Sequence, residues 1–135
     1  IQELKISMLA ANIDRSMLCL KQLVAGTPYS TQKKENFVFE EHFRFILKNI
    51  FYLCGFKVSE EQQMSAGRID LVVETSENIY ILELKMSDNG GVVSASYQIS
   101  SRHYADAYAA SPKPVISLAL EFDRLSRGLI DWKKI

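Results

Sequence analysis

The chain has 135 residues, the length of one compact domain. Apolar residues make up 47% of it and charged residues 24%, a balance that excludes a disordered tail, a collagen-like repeat and a coiled-coil rod. The formal net charge is zero, so the composition does not indicate a strongly basic nucleic-acid-binding domain, although it is compatible with a local basic groove. No apolar run approaches the roughly 20 residues of a membrane-spanning helix, and we expect no contact with a membrane.

The first 25 residues predict a helix or a pair of helices. Asn12 and Asp14 would end the first helix and cap the second, and the Gly26-Thr27-Pro28 sequence would end the segment. We expect residues 1–30 to form a helical segment that packs on a domain formed by residues 31–135. The apolar positions at helical spacing are Leu9, Ile13, Met17, Leu20 and Val24.

A second helical pattern runs from about Asn36 to Cys54, with Gly55 as its C-terminal stop. At about 100° per residue, Glu40 lies on the edge of the apolar stripe, whereas Glu41 points almost directly away from it. Glu40 is therefore expected to flank the core and Glu41 to be solvated. A shift of one residue in the phase of the helix would reverse the two assignments.

The remainder of the chain alternates between strand and helix patterns, which predicts an α/β fold. A mixed central β-sheet flanked by helices, in the order αβββαβ, would follow the N-terminal helix or helix pair. The predicted strands are 56–63, 67–75, 78–86, 115–122 and 129–133, and the predicted helix between the third and fourth strands is 92–110.

The two cysteines, Cys19 and Cys54, lie 35 positions apart without the spacing of a zinc site. Two buried free thiols in a reducing compartment are the favoured interpretation, and a disulfide is the alternative. The N-terminus has no signal segment, which indicates a cytoplasmic protein. Because the chain begins with Ile1 rather than methionine, we expect it to be a fragment of a longer protein.

Two carboxylates are predicted to face each other across a hairpin. A turn centred on residues 76 and 77 would pair Glu74 with Ile79, and the same register places Asp70 opposite Glu83. Because two negatively charged carboxylates that face each other across neighbouring strands repel, the pair favours either a shared proton or a bound divalent cation, Mg²⁺ or Mn²⁺. Lys85 lies two residues beyond Glu83 on the same strand face.

This arrangement of acids, metal and lysine suits phosphodiester hydrolysis. A metal bound by Asp70 and Glu83 would polarise a phosphate and acidify a bound water. Lys85 would orient that water or offset developing charge, and Glu40 could reach the same metal.

The quoted residues resemble the PD-(D/E)XK nuclease superfamily motif. The match consists of Gly67-Arg68-Ile69-Asp70-Leu71 followed by Glu83-Leu84-Lys85, with Ile69 in the place of the motif's proline. More narrowly, the chain resembles the nuclease-like domain at the C-terminus of bacterial proteins that carry an AAA-type ATPase-like domain. Further shared features are Pro28-Tyr29, Glu40 ahead of His42-Phe43, Gln98-Ile99, and Tyr104.

The resemblance implies a restriction-endonuclease-like core, a Mg²⁺-dependent deoxyribonuclease activity with Mn²⁺ as a substitute, and DNA as the partner. It also implies an ATPase-like domain in the same full-length protein, and a homodimer would allow both DNA strands to be cut. The implied metal ligands are Asp70, Glu83, the backbone carbonyl of Leu84 and Glu40, and Lys85 is the implied catalytic lysine. The residues implied to support the site or the substrate are Gln98, Arg68, Tyr104 and Arg102.

The sequence leaves two other function classes open. A catalytically inactive module could keep the nuclease fold in order to bind nucleic acid or the ATPase domain, and the zero net charge favours this modestly. A retaining glycosidase would also place two carboxylates about 5 Å apart. A lysine beside both acids and the small size of the domain argue against the glycosidase.

Overall fold

The computed structural model describes residues 1–26, 36–64, 67–102, 104–125 and 128–135; within these ranges it leaves out the side chains of residues 36–38, 61–64, 67–68 and 104–105. The Pro28-Tyr29 feature and the expected domain boundary after residue 30 lie outside the described residues. Among the helices in these ranges, none is both long enough and apolar enough to cross a membrane.

Three helices precede the sheet. They are α1 (Gln2–Leu9), α2 (Ile13–Ala25) and α3 (Asn36–Leu53). The N-terminal segment is thus a helix pair, and the side chain of Asn12 caps α2 by accepting the backbone N–H of Arg15, as predicted. A stop after α3 is also confirmed, because Gly55 adopts φ +82°, a conformation that glycine takes without steric cost.

Five strands form one mixed sheet in the order β1-β2-β3-β4-β5. The pairs β1–β2, β2–β3 and β4–β5 are antiparallel, and β3–β4 is parallel. The predicted mixed α/β sheet flanked by helices is therefore confirmed. The strands are β1 (Lys57–Met64), β2 (Gly67–Glu74), β3 (Ile79–Met86), β4 (Val115–Asp123) and β5 (Gly128–Lys134).

The two faces of the sheet bury different cores. The alternating residues of β3 from Tyr80 to Met86 belong to the larger core, which α1, α2 and α3 cover. On the opposite face, Ile79 and Ile81 pack with Ala95 and Ile99 of the helix that follows β3. The predicted division of β3 into two faces is confirmed. Glu83 and Lys85 therefore stand on the face with the smaller core.

The helix after β3, α4 (Gly91–Arg102), is shorter than predicted. The expected helix over 92–110 is wrong in its second half, where a 3₁₀ helix covers Tyr104–Tyr108. Ala95 and Ile99 are buried one turn apart, but the positions that would continue this stripe include Arg102 and Asp106, which are exposed. Beyond Arg102, Tyr108 is partly buried against the smaller core, but the exposed polar positions leave a continued helix without an apolar stripe to pack on the sheet.

Both cysteines are free thiols in the larger core. Cys19 and Cys54 are buried and form no disulfide, which confirms the favoured interpretation. Burial raises the pKa of the Cys54 thiol, so this side chain is a packing residue rather than a nucleophile.

Candidate active site

The hairpin between β2 and β3 has the predicted register. In its turn, the hydroxyl of Thr75 accepts the backbone N–H groups of Glu77 and Asn78. Glu74 pairs with Ile79, and the same register continues as far as Leu71 and Leu82. Asp70 and Glu83 are the next residues of the two strands, so this register brings the two acids together.

Asp70 lies at the point where the regular pairing of β2 and β3 ends. One of its carboxylate oxygens, Oδ2, accepts the backbone N–H of Leu84 at 2.9 Å. The regular pairing of β2 with β3 leaves the backbone N–H of Leu84 without an acceptor, and the side chain of Asp70 supplies one. This hydrogen bond fixes the carboxylate of Asp70 beside β3.

Glu83 is a buried acid with one unsatisfied oxygen. Its residue surface is 2% exposed, and its Oε1 accepts a 2.6 Å hydrogen bond from Nε2 of Gln98 on α4. Among the described residues, Oε2 has no hydrogen-bond partner. Burial raises the pKa of Glu83 to about 9, with the charge of Asp70 adding to the increase and Lys85 opposing it. Without a bound cation, the Asp70–Glu83 pair therefore keeps a proton at neutral pH.

Lys85 supplies a half-buried ammonium group next to this pair. Within the described part of the chain, its side chain forms no hydrogen bond and no ion pair, although its charge acts on Glu83. Its register neighbour on β4 is Glu121, whose carboxylate is occupied by the hydroxyl of Ser87 at 2.9 Å and the backbone N–H of Val92 at 2.7 Å. Lys85 therefore makes no ion pair with its register neighbour on β4.

Glu40 reaches the end of β3 from α3. Its Oε1 lies 3.4 Å from the backbone nitrogen of Met86 and 3.4 Å from Nδ2 of Asn89. The predicted contrast with its neighbour is confirmed, because Glu40 is half-buried and Glu41 is exposed. The structure brings Glu40 to the strand that carries Glu83, but the described residues contain no group of three His, Cys, Asp or Glu side chains that could hold a metal.

Of the other predicted site residues, Gln98 and Leu84 contact the acid pair. Gln98 contacts Glu83, whereas Arg102 is exposed at the end of α4. The side chains of Arg68 and Tyr104 lie outside the described residues. Leu84 is buried between the two charged positions of β3 and donates its N–H to Asp70.

Arg44, on α3, contacts the site and was not singled out from the sequence. Its Nη1 lies 3.7 Å from Oδ1 of Asp70, and its other nitrogens lie 3.4 Å from Glu41 and 4.0 Å from Glu60. The spacing of Glu41, Arg44 and Lys48 resembles an ordinary solvated helix face. The spacing therefore did not predict a contact with β2. In the structure, the side chain of Arg44 is only 12% exposed.

The donor set fits a hard divalent cation. Asp70 and Glu83 offer adjacent carboxylate oxygens, and one oxygen of Glu83 is buried without a partner among the described residues. Mg²⁺ is commonly held by one or two carboxylates, with waters and substrate phosphates as the remaining ligands. Two carboxylates are therefore sufficient protein ligands for this ion.

Comparison with known proteins identifies a family to which the chain is similar. The family model of the PD-(D/E)XK nuclease superfamily matches residues 38–132. A protein of Azotobacter chroococcum mcd 1, described as an uncharacterized protein in the vnfD 5' region, is 30% identical over 94 residues. These residues are 70% of this chain and 18% of that protein, so the chain spans about a fifth of the relative's length. No solved structure matches the chain.

Proposed function

The chain belongs to the PD-(D/E)XK nuclease superfamily, and we propose that it is a metal-dependent nuclease domain that hydrolyses phosphodiester bonds of DNA. The observation that supports this most is the Asp70–Glu83 pair, in which one buried carboxylate oxygen lacks a partner among the described residues and Lys85 stands alongside. The matched region includes all three residues. The mixed sheet flanked by helices is the restriction-endonuclease-like fold of this superfamily.

Asp70, Glu83 and the backbone carbonyl of Leu84 are the proposed ligands of Mg²⁺, for which Mn²⁺ would substitute, and Glu40 would act on the ion or on one of its waters. When bound, the ion would polarise the phosphate and lower the pKa of a water. Gln98 holds Oε1 of Glu83 and would leave Oε2 to the ion.

Lys85 is the proposed catalytic lysine. Its ammonium group has no hydrogen bond or ion pair within the described chain, so it is available to orient the attacking water and to offset charge on the phosphate. Its stem stands on the same strand face as Glu83, which directs it to the pair of acids. We assign Arg68, Arg102 and Tyr104 to the substrate side of the site on the strength of the family motif alone.

The wider assembly is also proposed. The relative in Azotobacter is about five times longer than the matched region, which is consistent with additional domains such as the ATPase-like domain. A homodimer would place two such sites on one DNA duplex. Within the chain, we propose residues 31–135 as the nuclease unit and residues 1–30 as a helical segment packed on it.

Cleavage assays test the function directly. Plasmid and single-stranded DNA are incubated with Mg²⁺ or Mn²⁺ and with wild type, Lys85→Ala or Lys134→Ala, the last being an exposed lysine of β5. We expect metal-dependent cleavage that falls by at least about a hundredfold in Lys85→Ala, the usual contribution of a proton-transfer group. Lys134→Ala should cleave like wild type. Equal cleavage by the Lys85→Ala and wild-type proteins would contradict the assigned role.

The alternative is an inactive nuclease-fold module that binds nucleic acid or an ATPase domain, favoured by the zero net charge of the chain. It predicts DNA binding without cleavage by wild type. Titration with Mn²⁺ then separates two cases. Binding that Asp70→Asn abolishes indicates a preserved site, and no binding at all indicates a binding fold alone.

A further inference from the structure

Arg44 approaches the candidate site from the opposite side of the sheet to α4. Its Nη1 lies 3.7 Å from Oδ1 of Asp70, and the two side chains are 12% and 22% exposed. The separation is too long for a hydrogen bond, so the contact is an interaction between charges. Because both groups are largely shielded from water, it is stronger than a typical surface ion pair.

The guanidinium group is anchored independently of Asp70. It lies 3.4 Å from Oε1 of Glu41 and 4.0 Å from Oε2 of Glu60, and Glu60 is in turn bound by Lys48 at 2.8 Å. These partners belong to α3 and β1. The positive charge of Arg44 is therefore held beside Asp70 by the surrounding structure.

The orientation of Asp70 does not depend on Arg44. Oδ2 of Asp70 accepts the 2.9 Å hydrogen bond from the backbone of Leu84, and this contact is shorter and more directional than the one to Arg44. What Arg44 contributes at this position is consequently its charge.

A divalent ion on Asp70 would compete with that charge. Two cations that share one carboxylate repel each other, and a unit charge about 5 Å from a divalent ion changes its affinity about tenfold even at the dielectric constant of water. A phosphodiester carries one negative charge and would offset the repulsion. Metal and substrate would then each increase the affinity for the other.

Resting on the proposed function, in which Asp70 is a metal ligand, we propose that Arg44 is the built-in counter-cation of Asp70 and keeps the affinity for a divalent ion low until a phosphodiester anion binds. Arg44 therefore acts through its charge on Asp70 and does not contact the reacting atoms, so it is a positioning residue rather than a catalytic one. The protein without substrate binds metal weakly, and the complete site assembles on nucleic acid.

Mn²⁺ binding provides the test, with the free ion followed by electron paramagnetic resonance at low salt and pH 7. Arg44→Met keeps the apolar stem and should bind Mn²⁺ at least about tenfold more tightly than wild type. Arg44→Lys keeps the charge and should stay within about threefold of wild type. Lys48→Met is the matched control, because it removes the same charge from Glu60 rather than from Asp70, and it should also stay within about threefold. Thermal melts verify that each variant is folded.

A second measurement uses the wild-type protein and a single-stranded phosphorothioate oligonucleotide. The oligonucleotide should tighten Mn²⁺ binding by wild type, and by a smaller factor for Arg44→Met. The inference is overturned if folded Arg44→Met binds Mn²⁺ no more tightly than wild type, or if the oligonucleotide leaves wild-type binding unchanged. Should Mn²⁺ bind every protein equally, the proposed function survives and only this inference fails. Should neither wild type nor any variant bind Mn²⁺, both are wrong.

Discussion

Replacing Glu83 with glutamine measures how strongly the folded protein disfavours a charge at this position. Burial and the neighbouring Asp70 raise the pKa of Glu83 from 4.5 to about 9. A carboxyl whose pKa is raised on folding binds its proton more tightly in the folded state. Its contribution to the free energy of unfolding is therefore complete below about pH 4.5 and is lost progressively as the pH rises towards 9.

The expected effect is large enough to measure. Each pH unit between the two pKa values corresponds to about 1.4 kcal/mol, so wild type should lose about 3 kcal/mol relative to Glu83→Gln between pH 5 and pH 7. Glutamine cannot ionise, and its side-chain oxygen can still accept the hydrogen bond from Gln98. Urea denaturation of both proteins in EDTA at pH 5, 6 and 7 gives the two pH dependences.

The reasoning is refuted if the two proteins have parallel stability curves over this range. The matched control is Glu77→Gln, because Glu77 is an exposed glutamate of the hairpin turn. That variant should follow the pH dependence of wild type. A difference confined to Glu83→Gln would locate the effect in the buried pair.

Three further substitutions test the surrounding structure. Gly91→Ala would direct a methyl group into the carboxylate of Glu121 and displace it from the start of α4, so urea denaturation should show a loss of about 1–3 kcal/mol; an unchanged midpoint would contradict this contact. Phe43→Ala removes a fully buried ring that stacks on a second phenylalanine at 4.5 Å, and calorimetry should show a loss of about 3–5 kcal/mol, whereas a loss below 1 kcal/mol would argue against this packing. Asp70→Asn can still accept the N–H of Leu84 and Asp70→Ala cannot, so the alanine variant should be less stable by about 1–3 kcal/mol, and equal stabilities would show that this hydrogen bond is unimportant.

The hairpin that carries the site could be predicted from the sequence because its determinants are local. Four residues from Thr75 to Asn78 form the turn, and side chains alternate on both flanking strands. Once the turn length is fixed, the period of two residues fixes the register and therefore which residue faces Glu83. The mixed sheet follows in the same way from the order of the patterns.

Arg44 and the end of α4 could not be predicted because they depend on tertiary contacts. Helix periodicity gave no reason to place Arg44 at the site, and only the packing of α3 on β1 places it against Glu60 and Asp70. The sequence pattern predicted a helix as far as residue 110, but the buried stripe has no member beyond Ile99 within α4.

The position of Asp70 shows how a strand pair can hold a charged group at its end. Where the pairing of β2 with β3 stops, the N–H of Leu84 still needs an acceptor, and a carboxylate provides one without leaving the strand edge. The second oxygen of that carboxylate is not used by this backbone hydrogen bond, and Arg44 lies within ion-pair distance of it. A neutral acceptor would satisfy the backbone equally well, so hydrogen bonding alone does not account for an acid at this position. The negative charge is explained by what else is attracted there, which is Arg44 in the protein alone and, in the proposed nuclease, a divalent ion.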